Sequence, residues 1–153
     1  MTIANIQGTV TIKNSTLQAK DSELFYVIDE LNAPSITLKD TIVVGTSEKG
    51  SCPWQIKDGG NNLQFPGTDC GSSIPVGDPK LGPLQDNGGR TWTMAPQLGS
   101  AAVGKITDSS CPATDQRGAD FMPGTPCDIG AFQTNGVLSA NMPTATNVPT
   151  LTR

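Results

Sequence analysis

The chain has no histidine. Within these residues that excludes every His-dependent triad, proton relay and His-ligated metal site. Charge is sparse too, with 16% charged residues and a formal net charge of −4. The ten Lys and Arg residues are scattered between Lys13 and Arg153, so there is no basic stripe on which a nucleic acid could lie. Long apolar runs are missing. Leu24-Phe25-Tyr26-Val27-Ile28 is among the longest and is far too short for a transmembrane helix. Met1-Thr2-Ile3-Ala4-Asn5 has neither a charged n-region nor an apolar h-region, so the chain reads as a mature or excised piece of a longer protein.

Glycine and proline are plentiful instead, at 17 and 12 of 153 residues, while hydrophobic residues make only 35%. Such a composition favours short strands and many turns over long helices. Residues 9–18 alternate, with Val10 and Ile12 on one side and Thr9, Thr11 and Lys13 on the other, as a half-buried strand does. Residues 35–44 repeat the pattern at an offset of 26, placing Ile36 on Val10, Leu38 on Ile12, Lys39 on Lys13 and Asp40 on Asn14. A repeat of this length with Asn or Asp at the same point fits the rungs of a parallel β-helix, the polar residue sitting at the corner. Two antiparallel strands of a sandwich are the competing reading. Between the repeats, 23–31 fits either helical or strand spacing, and its β-branched and aromatic content favours a strand forming another side of the coil.

From Gly45 the pattern gives way to turns. Asp58-Gly59-Gly60-Asn61-Asn62 is a turn sequence, and its single carboxylate is too little for a calcium cage. Four cysteines suit an oxidising compartment. With no His and no Cys-x-x-Cys pair, zinc would need a scattered four-thiolate site, so neither metal nor cofactor is expected.

Several pieces of the second half occur in a telling order: Cys52, Asp58 to Leu63, Cys70, Asp78-Pro79-Lys80-Leu81-Gly82-Pro83-Leu84, Asp86-Asn87-Gly88-Gly89, Thr93-Met94, Gly99-Ser100, Cys111-Pro112, Thr114-Asp115-Gln116-Arg117-Gly118 and Cys127-Asp128-Ile129-Gly130-Ala131-Phe132. Together they resemble the C-terminal end of the secreted, surface-associated bacterial β-helix proteins grouped as the choice-of-anchor Q family, over about residues 8–133. The resemblance implies a pectate-lyase-like, right-handed parallel β-helix of few coils, capped by a turn-rich, cysteine-bearing segment. In many members a linker and a variable cell-surface anchor follow, and no reaction is implied. Ala101-Ala102-Val103-Gly104 and Met94 depart from the Pro-Ala-Ile-Asp-like segment and the His usual there. Of the three pairings four cysteines allow, chain order and local turn content favour Cys52 with Cys70 and Cys111 with Cys127. The expected division is coils over 1–77, a cap over 78–133 and a Thr/Pro-rich linker or glycosylated stalk over 134–153.

A glycosidase needs two carboxylates facing across one cleft. Among Asp29, Glu30, Asp40, Asp58, Asp69, Asp115, Asp120 and Asp128 no pair marks itself as such, and a polysaccharide lyase rests on scaffold analogy alone. Arg117 could pair with an acid as a β-elimination base. The structural reading, in which it forks to Asp115 or Asp128 and pins the cap, is preferred. Tyr26, Trp54 and Trp92 could stack on sugars, although scarce aromatics more often plug cores. The Asn14-Ser15-Thr16 sequon falls at a coil corner, where a structural role is favoured.

The reading is therefore an all-β, extracytoplasmic, non-catalytic structural protein for adhesion or envelope assembly. Its expected partners are the rest of a longer β-helix or neighbouring subunits, through apolar rungs exposed at an open N-terminal end. Carbohydrate binding or cleavage along the helix face, and a subunit of an extracellular filament or complex, are the alternatives.

Overall fold

A computed structural model describes residues 3–5, 8–19, 25–27, 35–46, 52 and 56–140, with the backbone alone for 3–5 and 25–27. The described residues are all-β, and every pair of strands is parallel. In chain order the strands are β1 (Ile3–Asn5), β2 (Thr9–Lys13), β3 (Thr16–Gln18), β4 (Phe25–Val27), β5 (Ser35–Lys39), β6 (Ile42–Val44), β7 (Ile56–Asp58) and β8 (Leu63–Phe65). They form three sheets, ordered β1-β4, β2-β5-β7 and β3-β6-β8. Each strand thus lies on its counterpart from the preceding stretch of chain, as a repeating sequence requires.

The repeat read from the sequence is the observed register. Thr9 pairs with Ser35, Val10 with Ile36, Ile12 with Leu38 and Lys13 with Lys39, which rules out the antiparallel alternative for these two strands. The next step along the chain is shorter, Ile36 pairing with Ile56 and Ile42 with Leu63. Of 23–31, Phe25–Val27 is strand β4, while 28–34 and 20–24 lie outside the described residues.

The corners explain why the polar residue recurs. Asn14, Asp40 and Asn61 have φ of 46, 52 and 53°, a left-handed conformation that Asn and Asp tolerate better than other side-chain-bearing residues. The Asn14 N–H donates to Lys39 O at 3.2 Å and the Asp40 N–H to Gly60 O at 3.0 Å, so each bend hydrogen-bonds to the bend below. Asn62 completes the third bend, accepting from the Thr41 N–H and donating to Leu38 O.

Two apolar clusters lie on opposite faces of β6. Ile36, Leu38 and Val43 pack with Ala19, Cys70 and Ile74; Ile42 packs instead with Leu63, Ala102, Ile106, Cys127 and Ile129. A strand buried on both faces needs a continuous apolar run, and Ile42-Val43-Val44 supplies it. Fully burying a side chain such as Ile36 or Leu38, each with no exposed surface, contributes about 1.5–3 kcal/mol.

Residues 78–137 form a turn-rich segment packed against the strands, called the cap below. Its pairings are isolated antiparallel bridges, Leu81 with Pro96, Gln85 with Thr93, Ile106 with Cys127, Thr114 with Asp120 and Asp120 with Val137; prolines and tight turns interrupt any longer ladder. The Cys52–Cys70 disulfide closes a separation of 18 residues and Cys111–Cys127 one of 16, each worth about 3 kcal/mol in the loop-entropy model. The cap docks on the strands through the Gly130 N–H to Asp40 O at 3.0 Å and the Ala131 N–H to Thr16 Oγ1 at 3.1 Å.

Candidate functional site

The densest polar constellation centres on Asp115, with a fully buried side chain, and Arg117 at 8% exposure. Local geometry brings them together: the Asp115 side chain folds back on its own turn, Oδ1 accepting the N–H groups of Arg117 at 2.8 Å and Ala119 at 3.1 Å. Oδ2 accepts Arg117 Nε at 2.9 Å and Nη2 at 2.7 Å, and the Gln133 N–H at 3.2 Å. Five donors surround one carboxylate. Arg117 Nη2 also donates to Gln133 O at 2.9 Å, and the guanidinium lies 3.7 Å from the centroid of the Phe132 ring, a cation–π contact.

Asp128 holds the neighbouring turn rather than Arg117. Its Oδ1 accepts the Gly104 N–H at 2.7 Å, and its Oδ2 accepts both the N–H and the hydroxyl of Thr134, at 2.6 and 2.7 Å. Gln133, with no exposed surface, accepts the Asp128 N–H and donates to Asp128 O. Of the two acids the sequence offered to Arg117, the fork goes to Asp115.

A second cluster joins the Asp40 and Asn61 bends to the cap segment. Asn61 Nδ2 lies 3.0 Å from Asp40 Oδ1 and 2.9 Å from Asp108 Oδ2, and the Ser110 hydroxyl donates to Asp40 Oδ1 at 2.9 Å. The Asp108 carboxyl is lowered to a pKa of about 2, first by the Ser110 hydroxyl, then by the Asn61 amide and the Ser110 N–H, with Lys39 adding a smaller attraction. The hydroxyl has one proton for two acids: donated to Asp40, as here, it leaves Asp108 lowered by the Asn61 amide and the Ser110 N–H, and the value of about 2 belongs to the arrangement in which the hydroxyl turns to Asp108.

Three concavities accompany these clusters. One of about 550 Å³ runs beside Asp108, Phe121 and Pro126; another of about 300 Å³ lies between Asn14, Thr16 and Gln116 and touches Asp115; a third of about 430 Å³ joins Asp58 and Lys105 over Leu63 and Ile129. Each includes one carboxylate, so none presents the facing pair that glycoside hydrolysis requires. Trp92 is 38% exposed and lines none of the three; the Gln116 amide donates to its neighbour Thr91 Oγ1 at 3.1 Å. Trp54 and the side chain of Tyr26 lie outside the described residues. In the Asp58–Asn62 turn, Asp58 Oδ1 accepts from the Gly60 N–H and Asn62 Nδ2, and among the described residues no three acids or cysteines converge on a metal position.

Gln133 and the Asp40–Ser110 link went unread in the sequence. Gln133 directly follows Phe132 but has no spacing that announces burial, and Ser110 reaches Asp40 across 70 residues. Beyond the expected cap boundary, Val137 still exchanges both backbone hydrogen bonds with Asp120, continuing the cap into the Thr/Pro-rich stretch.

Compared with known proteins, the chain matches no family model, no curated protein and no solved structure. The two disulfides are consistent with an extracellular location, where such bonds persist.

Proposed function

We propose that the chain is a non-catalytic extracellular structural module, a right-handed parallel β-helix of few coils closed by a disulfide-stapled cap, of the choice-of-anchor Q kind. It serves adhesion or envelope assembly at a bacterial surface. The observation that carries this reading is the saturation of two of the three buried carboxylates: Asp115 and Asp128 are engaged by backbone N–H groups, Arg117 and Thr134. A general base needs a lone pair aimed at a substrate proton, and these acids direct theirs at the cap itself.

Exposed Trp92 favours a second reading, carbohydrate binding on the cap surface. Both readings are tested by incubating the chain with polygalacturonate, alginate and neutral glucans, following new reducing ends and unsaturated uronates, and measuring retention on the same polymers. The structural reading expects neither cleavage nor retention. Retention abolished by Trp92→Ala, without cleavage, would support the second reading, and cleavage lost in a single carboxylate variant would overturn the non-catalytic claim.

A further inference from the structure

β1, β2 and β3 are consecutive in the chain, and each stands first in its sheet, so all three present an edge at the same end of the stack. On β2 the direction of that edge follows from its bonds to β5. The Ser35 N–H donates to Gly8 O, and the Asn14 N–H to Lys39 O; even-numbered residues of β2 therefore face β5, and the backbone groups of Thr9, Thr11 and Lys13 face away. No described strand pairs with them.

Burial follows the same gradient. Val10 and Ile12 are half-buried and Thr9, Thr11 and Lys13 exposed, whereas Ile36 and Leu38, directly beneath, have no exposed surface. Leu17 of β3 is half-buried, while Val43, its partner on β6, is 1% exposed. Lys13 stands in register with Lys39, a like-charged pair that an acid on the other side would relieve. Asn14 ends the left-handed column of Asn14, Asp40 and Asn61.

From this geometry, and resting on the stacked-coil reading above, we propose that the β2 edge receives one further strand in parallel register from polypeptide outside residues 3–140. Its chemistry is a branched apolar residue over Val10 and over Ile12, Asp or Glu over Lys13, and Asn, Asp or Gly over Asn14. A second copy of this chain fits less well. At the opposite end Gln64 of β8 already pairs with Val76, while the outer edge of β7 has no described partner. In the register β7 keeps with β5, a copy stacked head to tail would set Asp58 over Ile12 and bring no acid over Lys13, which leaves a copy its own β1–β3 end. Two such ends meet about a two-fold axis with strands antiparallel, which breaks the corner column.

The experiment compares amide hydrogen exchange in the full chain with that in the same chain preceded directly by a duplicate of residues 1–26. The duplicate keeps the 26-residue offset and carries Lys13→Glu. The amides of Thr9, Thr11 and Lys13 are expected to exchange freely in the unextended chain and at least tenfold more slowly in the extended one, with Val10 and Ile12 changed least. Thr11→Pro at the original position removes only an outward-facing N–H. It leaves the Tm of the unextended chain within a degree or two and cancels the gain at Thr9 and Lys13 in the extended one. Outward amides already protected in the monomer, or unslowed by the extension, would overturn the proposal. Protection that rises with concentration alongside a dimer in light scattering would overturn it too, by giving the edge to a second copy. Polysaccharide cleavage would sink the structural reading while leaving these exchange rates as they are.

Discussion

Gly130 touches Ile42 so closely that a Cβ on the glycine would stand 2.8 Å from Ile42 Cδ1 and 2.7 Å from Thr16 Oγ1. The same residue donates its N–H to Asp40 O and holds φ at +103°, a conformation glycine alone adopts freely. Cap and strands meet here without room for one methyl group. Gly130→Ala is expected to lower stability by about 2–4 kcal/mol, combining backbone strain with overpacking, seen as a lower urea midpoint at an unchanged slope. Gly104→Ala serves as control, because its Cβ would meet nothing within 4 Å; it is expected to cost only the backbone term.

The Asp115–Arg117 pair is expected to be asymmetric. Asp115→Ala strands a buried guanidinium together with the N–H groups of Ala119 and Gln133, at a cost of about 3–5 kcal/mol. Arg117→Met leaves Asp115 with three backbone donors and keeps an apolar stem against Phe132, so it should cost less, about 1–3 kcal/mol. Equilibrium unfolding of both variants checks the order; a larger loss for Arg117→Met would contradict the anchoring role of Asp115.

Asp108 sets an acid limb. Its carboxyl, lowered in the folded chain by donors from Ser110 and Asn61, contributes stability that is full above the unfolded value near 4 and is lost as pH falls below it. Asp108→Asn should therefore flatten the dependence of Tm on pH between about 4 and 2 and leave the profile above pH 5 parallel to that of the parent chain. An unchanged acid limb would count against the corner cluster.

The two disulfides should matter about equally. Each joins one half-buried cysteine, Cys52 or Cys111, to one buried in an apolar cluster, Cys70 or Cys127. Replacing either pair by Ser should cost about 3 kcal/mol from loop entropy, and somewhat more because a hydroxyl at position 70 or 127 is then buried among apolar side chains. Thermal unfolding of the two double variants checks this; a loss confined to one pair would contradict it.

Much of the strand half is legible in the sequence because its physics is local and repeats: Val10 over Ile36 and Asn14 over Asp40 follow from one offset. The corner conformation was readable for the same reason, since Asn and Asp tolerate left-handed bends. The cap obeys no such period. Arg117 had two acids within reach, and the choice of Asp115 depends on a turn that folds the carboxylate onto its own backbone, which spacing does not reveal. Gln133 and Ser110 are polar residues whose roles come from partners distant in space, so nothing beside them in the chain marks their burial or bonding. Ile42 and Val43 read as one apolar run; only the cap on the outer face of β6 shows why both are buried.

That cap and strands are one cooperative body is tested most directly by equilibrium unfolding of a Trp54→Phe variant, which leaves Trp92 in the cap as the single tryptophan. Trp92 fluorescence follows the cap and far-ultraviolet circular dichroism follows the strands. Coincident urea transitions are the expected result, as for a two-state domain. A Trp92 transition completed at lower urea, with the strand signal intact, would contradict the account by showing a cap that comes away from the stack on its own.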